Sequence, residues 1–511
     1  MLIESGKMIH VTIVTESLGR GECMADVADR PGREGSGWNI PTKNLPEAEF
    51  QELPEPRKLR NYIGASVIIS ATAMGSGELI LWPYITSQVG VGLLWLAVIG
   101  FTMQYFLNME IERYTLATGE TAVTGFSRLW LPWGIIFMLG ALLPNLWPGW
   151  AASAGTLFTF VFPFGESAVP WIAVIQLLAI GITLTLSPVV YQAFEKIEGV
   201  FLAIIIIFVI VAIVIATTGD AWGRVVTETP GGVANLPDYF VEIGAATLLG
   251  AVAFAGAGGA NNLVQSNYLR DKGMGMGQRI PNIVSPVTGE EVAEPSVGYK
   301  FETNEENMSR WRNWWRIANQ EQLIVFWGVG VVLLVALSVL VYSAVGVQED
   351  IGTELKFIGE EGEALKDIIA PWFGTAFWVA GFIMLFSTNV GIVDYTSRLI
   401  GDSLKVTFLK ESEFWSESKI YFTIAWLIII SGSIILLAGL SQPIVLLVIS
   451  SAGGGVVMAL YSVMLIVLNR RTLPEAIRLK GWRLPVMVIT ALFFVPFALY
   501  VVYDQIVGLL S

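Results

Sequence analysis

Two glycine-rich stretches of the chain carry polar residues of the kinds that bind metal cations. They cover residues 71–79 and 250–263, and the candidate residues within them are Gly75, Ser76, Glu78, Gly256, Asn261 and Asn262. The side chains expected to bind a metal directly are those of Glu78, Asn261 and Asn262, together with backbone carbonyls freed at the glycines. A carboxylate, amide oxygens and carbonyls form an oxygen-only ligand set, which suits Mg²⁺, Mn²⁺ or Ca²⁺ better than softer metals.

Both stretches interrupt long apolar segments. A helix that breaks inside a bilayer exposes backbone groups that lipid cannot satisfy, so such breaks occur where they line a cavity that a polar solute enters. In the first break we expect Ser76 to cap a second half-helix, with Glu78 in its first turn, where the helix dipole favours a negative charge. In the second break, one of Asn261 and Asn262 is expected to cap the following half-helix while the other points into the cavity.

Both features also have purely structural explanations. Glu78 could be paired with a fixed arginine or amide, and the glycines around Gly256 could serve close packing between helices. A carboxylate left unpaired at this depth costs about 2.5 kcal/mol or more. No basic residue lies at a matching depth in any predicted span, and packing does not account for two adjacent asparagines. The sequence therefore favours a cation site.

The composition restricts the class of protein. Of 511 residues, 54% are hydrophobic and only 14% are charged, which is too apolar for a soluble globule and indicates a polytopic membrane protein. Cys23 and His10 are the only residues of their types, so an intramolecular disulfide and a histidine- or cysteine-rich metal centre are excluded. The sequence has no nucleotide-binding loop and no catalytic triad. We expect no enzyme activity, no resident cofactor and no nucleic-acid partner, and a lipid bilayer as the surroundings.

Apolar runs of about 20 residues, the length that crosses a bilayer, occur eleven times. We predict spans near 62–88, 91–112, 132–160, 168–187, 192–217, 242–268, 322–346, 371–400, 420–439, 443–468 and 485–508. Residues 1–60 are expected to form a cytoplasmic, partly disordered tail, and residues 61–511 the transmembrane domain. Residues 269–321 form a cytoplasmic loop whose last part is amphipathic, with Trp311, Trp314 and Trp315 on one face, typical of a helix in the lipid headgroup layer.

The charges predict the orientation. With the N-terminus in the cytoplasm, only Arg224, Lys356 and Lys366 among the basic residues of the spans and loops fall outside. This bias predicts a multi-pass protein of the plasma (inner) membrane with the N-terminus inside and the C-terminus outside. Acidic residues gather outside between the seventh and eighth spans, namely Glu349, Asp350, Glu354, Glu360, Glu361, Glu363 and Asp367. They either concentrate cations at that surface or form an ordinary solvated loop.

The two breaks occupy the first and sixth spans, at equivalent places in two halves of five spans each. This arrangement predicts an all-α membrane protein with an inverted 5+5 repeat of the leucine-transporter type, in which helices 1 and 6 are discontinuous. The substrate is then expected at the midplane between the halves, with an eleventh span appended.

Residues 112–120, Glu-Arg-Tyr-Thr-Leu-Ala-Thr-Gly-Glu, resemble a segment of the natural resistance-associated macrophage protein (Nramp) family of divalent-metal transporters. The glycine-interrupted helices, Asn262-Leu263 and the eleven spans agree with this resemblance, which covers about residues 60–508. It implies alternating-access transport of a divalent cation.

The family's site motifs are altered in this chain. Its Asp-Pro-Gly-Asn stands here as Gly75-Ser76-Gly77-Glu78, and its Met-Pro-His-Asn as Gly259-Ala260-Asn261-Asn262. The missing thioether shifts the expectation away from softer transition metals. The missing histidine leaves proton coupling open.

A coupling-ion site is expected at the eighth span, where Ser387, Thr388 and Asn389 stand near the middle. Transporters of the wider amino acid–polyamine–cation superfamily often bind sodium between the first-helix break and eighth-helix hydroxyls, and these residues are similar. The alternative is that the hydroxyls bond to their own helix. Nearby, Asp394 and Arg398 are spaced i, i+4 and predict a local ion pair. The coupling ion is thus H⁺, Na⁺ or none.

Together these observations predict a secondary transporter of divalent cations, hard ones such as Mg²⁺, Mn²⁺ or Ca²⁺, working by alternating access. Two alternatives stay open. The same fold could carry an amino acid or organic cation, whose ammonium would pair with Glu78, or the chain could be a transport-inactive scaffold or sensor. The oligomeric state is open, and a monomer is compatible with the sequence.

Overall fold

The computed structural model describes residues 37–56, 59, 64–187, 190–281, 297–348, 355–440 and 442–510. Cys23, His10 and most of the predicted tail lie outside these ranges, as do Glu349, Asp350 and Glu354 of the acidic segment. Within them the chain is almost entirely helical, with one two-stranded sheet.

Nine helices in the described ranges are long and apolar enough to cross a membrane. Two further segments, which we number as spans 1 and 6, are broken, and neither half of either segment reaches that length. Span 1 comprises Ala65–Ala73, the π-helix Gly77–Leu81 and Trp82–Val89, and span 6 comprises Ala245–Ala253 and Gly259–Asp271. The other spans, numbered 2 to 5 and 7 to 11, are Leu94–Thr118, Pro132–Asn145 with Gly149–Val161, Val169–Leu186, Val190–Ala216, Gln322–Val329 with Gly330–Val345, Pro371–Thr407, Glu417–Leu437, Pro443–Arg471 and Arg483–Leu510.

Local sequence explains where several spans stop. Gly119 ends span 2 because its φ of 76° places it in the left-handed region that favours glycine. Thr121 then accepts a hydrogen bond from the backbone N–H of Thr124 and caps the short helix Ala122–Leu129. Span 3 is interrupted between Asn145 and Gly149 by Pro148, which cannot donate a backbone hydrogen bond.

The broken spans lie at the centre of the packing. Span 8 packs against span 3, span 9 and the first half of span 1. The first half of span 6 packs against span 10, and its second half packs against spans 2 and 8. The two breaks are therefore enclosed by protein and shielded from lipid.

Residues 37–56 are docked on one side of the membrane domain, which we call the N-terminal face. The strand Glu49–Phe50 pairs in parallel with Tyr299–Lys300. Arg128 donates hydrogen bonds to the carbonyls of Pro41 (3.1 Å) and Pro46 (2.8 Å). The described part of the predicted tail is thus ordered, because its backbone carbonyls satisfy buried donors of the domain.

The helix predicted to lie in the headgroup layer has its tryptophan face covered by protein. The helix Glu305–Glu321 begins after Asn304, whose side chain caps it, and continues directly into span 7. Trp314 is fully buried and donates to the carbonyl of Pro54 (2.7 Å), and Trp311 is 5% exposed. Residues 37–56 cover the tryptophan face, which the helical pattern alone does not reveal.

On the opposite face three helices outside the spans close the ends of the bundle. They are Gly219–Ala234, Leu236–Glu242 and Lys356–Ile368. The third contains the four described acidic residues between spans 7 and 8, so this part is a helix and not a loop. Glu360, Glu363 and Asp367 are exposed, so both alternatives for the acidic segment stay open. Glu361 within it is 2% exposed.

Candidate functional site

The break in span 1 lies at Met74–Ser76, where the sequence predicts it. The backbone N–H of Gly75 has no carbonyl partner in its own helix and donates to the hydroxyl of Thr388 in span 8 (3.1 Å). Ser76 stands at the start of the next segment, but its side chain makes no capping hydrogen bond, so that prediction is wrong. Glu78 does lie in the first turn after the break, as predicted.

Glu78 is completely buried, and neither of its carboxylate oxygens has a hydrogen-bond partner. The backbone N–H groups of Glu78 and Gly256 lie near it without reaching hydrogen-bond geometry. No arginine or lysine among the described residues forms an ion pair with it. A buried charge without a partner is strongly unfavourable. Binding a cation or a proton would remove that cost, and both oxygens of Glu78 are free to do so.

The break in span 6 lies at Phe254–Gly258. Gly256, Gly258 and Gly259 have φ values of 109°, 68° and 54°, a conformation that side chains disfavour and glycine allows. The second half-helix starts at Gly259 and is capped by no side chain, which corrects the prediction that Asn261 or Asn262 caps it. Asn261 and Asn262 are instead the third and fourth residues of this helix.

Both asparagines donate through their side-chain NH₂ groups and leave their side-chain oxygens without a partner. Asn261 donates its NH₂ group to the hydroxyl of Thr72 (3.1 Å), and Asn262 donates to the side-chain oxygen of Asn108 (2.7 Å). The oxygens of Asn261 and Asn262 are buried and have no hydrogen-bond partner. The assignment of these two oxygens as ligands stays a prediction.

The two breaks touch each other at Gly77. A Cβ atom added at Gly77 would collide with the backbone carbonyl of Phe254, so only glycine allows this approach. The indole N–H of Trp82 donates to the carbonyl of Ala251 (2.8 Å) and ties the second half of span 1 to the first half of span 6. Glu78 is thereby held beside the break in span 6.

Gln104 of span 2 satisfies backbone groups of the second break and was missed from the sequence. Its NH₂ group donates to the carbonyls of Ala253 (2.8 Å) and Ala255 (2.6 Å), and its oxygen accepts the N–H of Gly258 (2.9 Å). An amide in the middle of an apolar span is the signal that could have identified it.

The sequence predicts the freed backbone carbonyls of residues 256–258 as ligands. The carbonyl of Gly258 accepts the backbone N–H of Asn261 (3.2 Å). Gly256 packs around the oxygen of Gln104 and the ring of Phe326. Its assignment as a ligand stays a prediction.

Ser387 and Thr388 lie against span 1, as the coupling-ion prediction requires. The hydroxyl of Ser387 lies 3.0 Å from the carbonyl of Ala71, which the break has freed, and also contacts the carboxylate of Glu198 in span 5. One hydroxyl hydrogen cannot satisfy both acceptors. The hydroxyl of Ser387 can therefore donate to only one of these two acceptors.

Glu198 is completely buried, and one of its oxygens has no partner. Asn389, in contrast, lines a small cavity with Asn145 and Trp150 of span 3. It does not share the position of Ser387 and Thr388. Glu198, and not Asn389, is the residue that contacts the hydroxyl of Ser387, and the role of this group in binding a coupling ion stays a prediction.

Near the N-terminal face, Asp394 and Arg398 form the predicted local ion pair (2.7 Å). Arg398 also contacts Asp271 at the end of span 6. Arg270 pairs with Asp402 of span 8 (2.6 Å) and Glu417 of span 9 (2.6 Å). These ion pairs link the end of span 6 to spans 8 and 9 on the side where residues 37–56 dock.

Within the described ranges no group of three or more His, Cys, Asp and Glu side chains is close enough to hold a metal ion. A cation at the breaks would therefore depend on one carboxylate, amide oxygens and backbone carbonyls. Such a site leaves part of the hydration shell of a cation such as Mg²⁺ or Mn²⁺ in place.

No family model and no curated protein sequence matches this chain. Solved structures do share its fold. A manganese transporter of Eremococcus coleocola, determined as a mutant with one histidine replaced by alanine, has a TM-score of 0.64 at 12% sequence identity and covers 93% of this chain and 92% of that chain. MhsT in complex with L-phenylalanine has a TM-score of 0.52 at 14% identity and covers 88% of this chain and 99% of that one.

At these identities the likeness establishes the fold alone. The chain has the leucine-transporter fold with broken spans 1 and 6, which confirms the fold predicted from the sequence. The proteins that share it are secondary transporters. One is a transporter of a divalent metal, and the other was solved with an amino acid bound.

Proposed function

We propose that this chain is a secondary transporter of divalent metal cations, preferring hard cations such as Mg²⁺ and Mn²⁺, and working by alternating access. The observation that carries the proposal is Glu78, a fully buried carboxylate without a partner where the two breaks meet. Glu78 supplies the charge, and Asn261 and Asn262 supply amide oxygens. The manganese transporter that shares the fold supports a metal as the substrate.

The ligand set favours hard cations. In the described residues around the breaks, the candidate ligand atoms without a hydrogen-bond partner are buried side-chain oxygens of Glu78, Asn261 and Asn262, and His10, the only histidine of the chain, lies outside the described ranges. Soft transition metals gain most from thioether, thiolate or imidazole ligands. We therefore expect affinity for Mg²⁺ and Mn²⁺ and little discrimination in favour of softer metals.

We propose that the coupling ion, H⁺ or Na⁺, binds where Ser387, Thr388 and the carbonyl of Ala71 meet Glu198. The site joins span 1 to spans 5 and 8. A proton on Glu198 or a sodium ion among these oxygens would remove the conflict between two acceptors sharing one hydroxyl hydrogen. Occupancy of this site would thereby hold the first half of span 1 in place.

We propose the plasma membrane as the location, with the N-terminal face in the cytoplasm, on the basis of the distribution of lysine and arginine. A cavity of about 510 Å³ on the opposite face is lined by Glu166, Glu360 and Glu363, among others. It would then face outward, where its carboxylates raise the local concentration of cations.

Uptake by proteoliposomes tests the proposal. Wild-type protein should take up Mn²⁺ or Mg²⁺, and Glu78→Gln should lower the uptake by about tenfold or more, the factor that 1.4 kcal/mol represents. Glu475→Gln, which removes an exposed carboxylate outside both the breaks and that cavity, is the matched control and should transport normally. Amino-acid uptake without metal uptake would favour an amino-acid transporter on the same fold. No flux of either kind would indicate a scaffold or sensor.

A further inference from the structure

A chain of side-chain amides leads from the break in span 6 toward the N-terminal face. Asn262 donates to Asn108 of span 2 (2.7 Å), and Asn108 donates to the oxygen of Gln322 at the start of span 7 (3.3 Å). Gln322 in turn donates to Glu112 of span 2 (2.8 Å) and to the hydroxyl of Ser66 in span 1 (2.9 Å). All five side chains are completely buried.

The direction of this chain is fixed at its far end. The two ends of an amide have the same shape, so only its hydrogen-bond partners decide which end carries the oxygen. Oε1 of Glu112 is an acceptor and also receives the NH₂ group of Gln265 (2.7 Å). Ser66 donates its own hydrogen to Glu321 (2.9 Å), so it must accept from Gln322.

Glu321 anchors this end to the backbone. Its carboxylate accepts the N–H groups of Gly64 (3.2 Å) and Ser66 (2.9 Å) at the start of span 1. Helix starts leave such N–H groups unsatisfied, which makes this a stable contact. Glu112 lies within electrostatic reach of Glu321 and of Arg483 from span 11. The acceptors at this end, Glu112, Ser66 and Glu321, come from span 2, span 1 and the helix Glu305–Glu321.

Two acceptors at one end impose one order on every link. Gln322 must point its NH₂ group at Glu112 and Ser66, which turns its oxygen toward Asn108. Asn108 must then donate to Gln322, which turns its oxygen toward Asn262. Asn262 donates in its turn, and its oxygen remains without a partner beside the break.

We infer that Asn108 and Gln322 are positioning residues whose amides hold the oxygen of Asn262, and not its NH₂ group, toward the transported cation. The inference rests on the proposed function, because it assigns Asn262 as a ligand. An NH₂ group in that place would carry a partial positive charge and would repel a cation. Neither residue needs to touch the cation to control its affinity.

Calorimetric titration of the purified full-length protein with Mn²⁺ tests the effect on binding. Asn108→Leu and Gln322→Leu should each weaken Mn²⁺ binding by about tenfold, since Asn262 is then free to turn over. Asn108→Asp is the matched variant, because aspartate still accepts from Asn262, and its affinity should be no lower than about a third of wild type. Should Asn108→Leu fail to fold, Gln322→Leu carries the test alone.

Gln265→Leu is the control, because Gln265 donates to the same carboxylate but stands outside the chain. Its Mn²⁺ affinity should equal that of wild type. Leucine variants that bind Mn²⁺ as tightly as wild type, or an Asn108→Asp variant as weak as Asn108→Leu, would overturn the inference.

A second measurement judges the amide order even if the protein binds no cation. Asn262→Asp places a carboxylate against the oxygen of Asn108, whereas Asn262→Leu only removes the donor to that oxygen. Thermal unfolding at about pH 8, where carboxylates are normally ionised, should therefore show a larger loss of melting temperature for Asn262→Asp than for Asn262→Leu. Equal losses, or the opposite order, would refute the inference. Absence of Mn²⁺ and Mg²⁺ binding by wild type with the expected order would refute only the proposed function.

Discussion

Gly77 is where the two broken helices come into backbone contact. Its Cα faces the carbonyl of Phe254, and no flexible side chain stands between them that could give way. A methyl group at this position must push the two half-helices apart. The spacing of the breaks, and with it the geometry around Glu78, is thus set by the absence of a side chain.

We expect Gly77→Ala to destabilise the protein by about 1–3 kcal/mol, the range for overpacking a tight contact, and to abolish transport. Gly199→Ala in span 5 is the control, because nothing lies within 4 Å of a Cβ added there. In a helix interior that change should be neutral or stabilise by up to about 1 kcal/mol. The melting temperature and the proteoliposome uptake of Gly77→Ala are to be measured beside those of Gly199→Ala. Equal behaviour would show that the breaks do not depend on this contact.

We expect the loss of the Glu198 carboxylate to affect ion coupling, whereas the loss of the Glu78 carboxylate affects metal binding. Glu198 lies beside Ser387 and the freed carbonyl of Ala71, away from the asparagines. Glu198→Gln should therefore leave Mn²⁺ binding and metal exchange across the membrane intact while removing uptake driven by a proton or sodium gradient. Exchange and gradient-driven flux measured on the same vesicles separate the two. Loss of Mn²⁺ binding in this variant would contradict separate sites.

Residues 37–56 form the element whose placement the sequence did not predict. Pro, Gly and charged residues suggested a partly disordered tail, since they bury little apolar surface. In the structure this segment is held by side chains of the domain, chiefly Arg128, Arg310 and Trp314, through its own backbone carbonyls. Composition does not show such bonds, because the tail supplies acceptors that every residue has.

Glu120 and Arg128 hold this element through a fully buried ion pair of 2.5 Å. Burial alone would raise the pKa of Glu120, but Arg128 and hydrogen bonds from Tyr114 and the Gly298 N–H hold that pKa below its usual range. A carboxyl group with a lowered pKa stabilises the fold at neutral pH. That contribution is lost as the pH falls through the lowered pKa.

Glu120→Gln should cost about 3–5 kcal/mol, because it leaves the guanidinium of Arg128 buried without its counter-charge. The segment 37–56 should then be cut faster by protease than in wild type. Glu475→Gln, which removes an exposed partner of Arg478, should change stability by less than about 1 kcal/mol. Limited proteolysis and thermal unfolding of both variants provide the comparison. Unchanged cleavage of residues 37–56 in Glu120→Gln would exclude the ion pair as the clamp.

At the scale of the whole molecule, the features that could be predicted were those encoded in short stretches of neighbouring residues. Apolar length gave the spans, and glycine next to polar residues gave both breaks, because a bilayer tolerates an open backbone only at a cavity. The contacts that complete the site join residues far apart in sequence, such as Gln104 with Gly258 and Ser387 with Glu198. Such pairings depend on how spans pack, and each partner alone resembles an ordinary polar residue in a helix.

The helix Lys356–Ile368 contributes a pH dependence to the stability of the whole molecule. Burial raises the pKa of Glu361 well above its usual range, and Oε1 has no hydrogen-bond partner. A carboxyl group with a raised pKa favours the folded state when protonated. Its contribution is complete below the ordinary pKa of glutamate, about 4.3, and is lost as the pH rises through the raised value.

Glu361→Gln removes this proton-dependent contribution, since an amide stays neutral at every pH. Relative to wild type, the variant should gain melting temperature as the pH rises from about 4 to about 8. Glu363→Gln on the same helix is the control, because Glu363 is exposed and pairs with Lys366 (2.9 Å), and its difference from wild type should stay nearly constant. Thermal unfolding across this pH range measures both differences. A constant difference for Glu361→Gln would mean that Glu361 does not titrate with folding, and that the helix packs against span 8 without a buried proton.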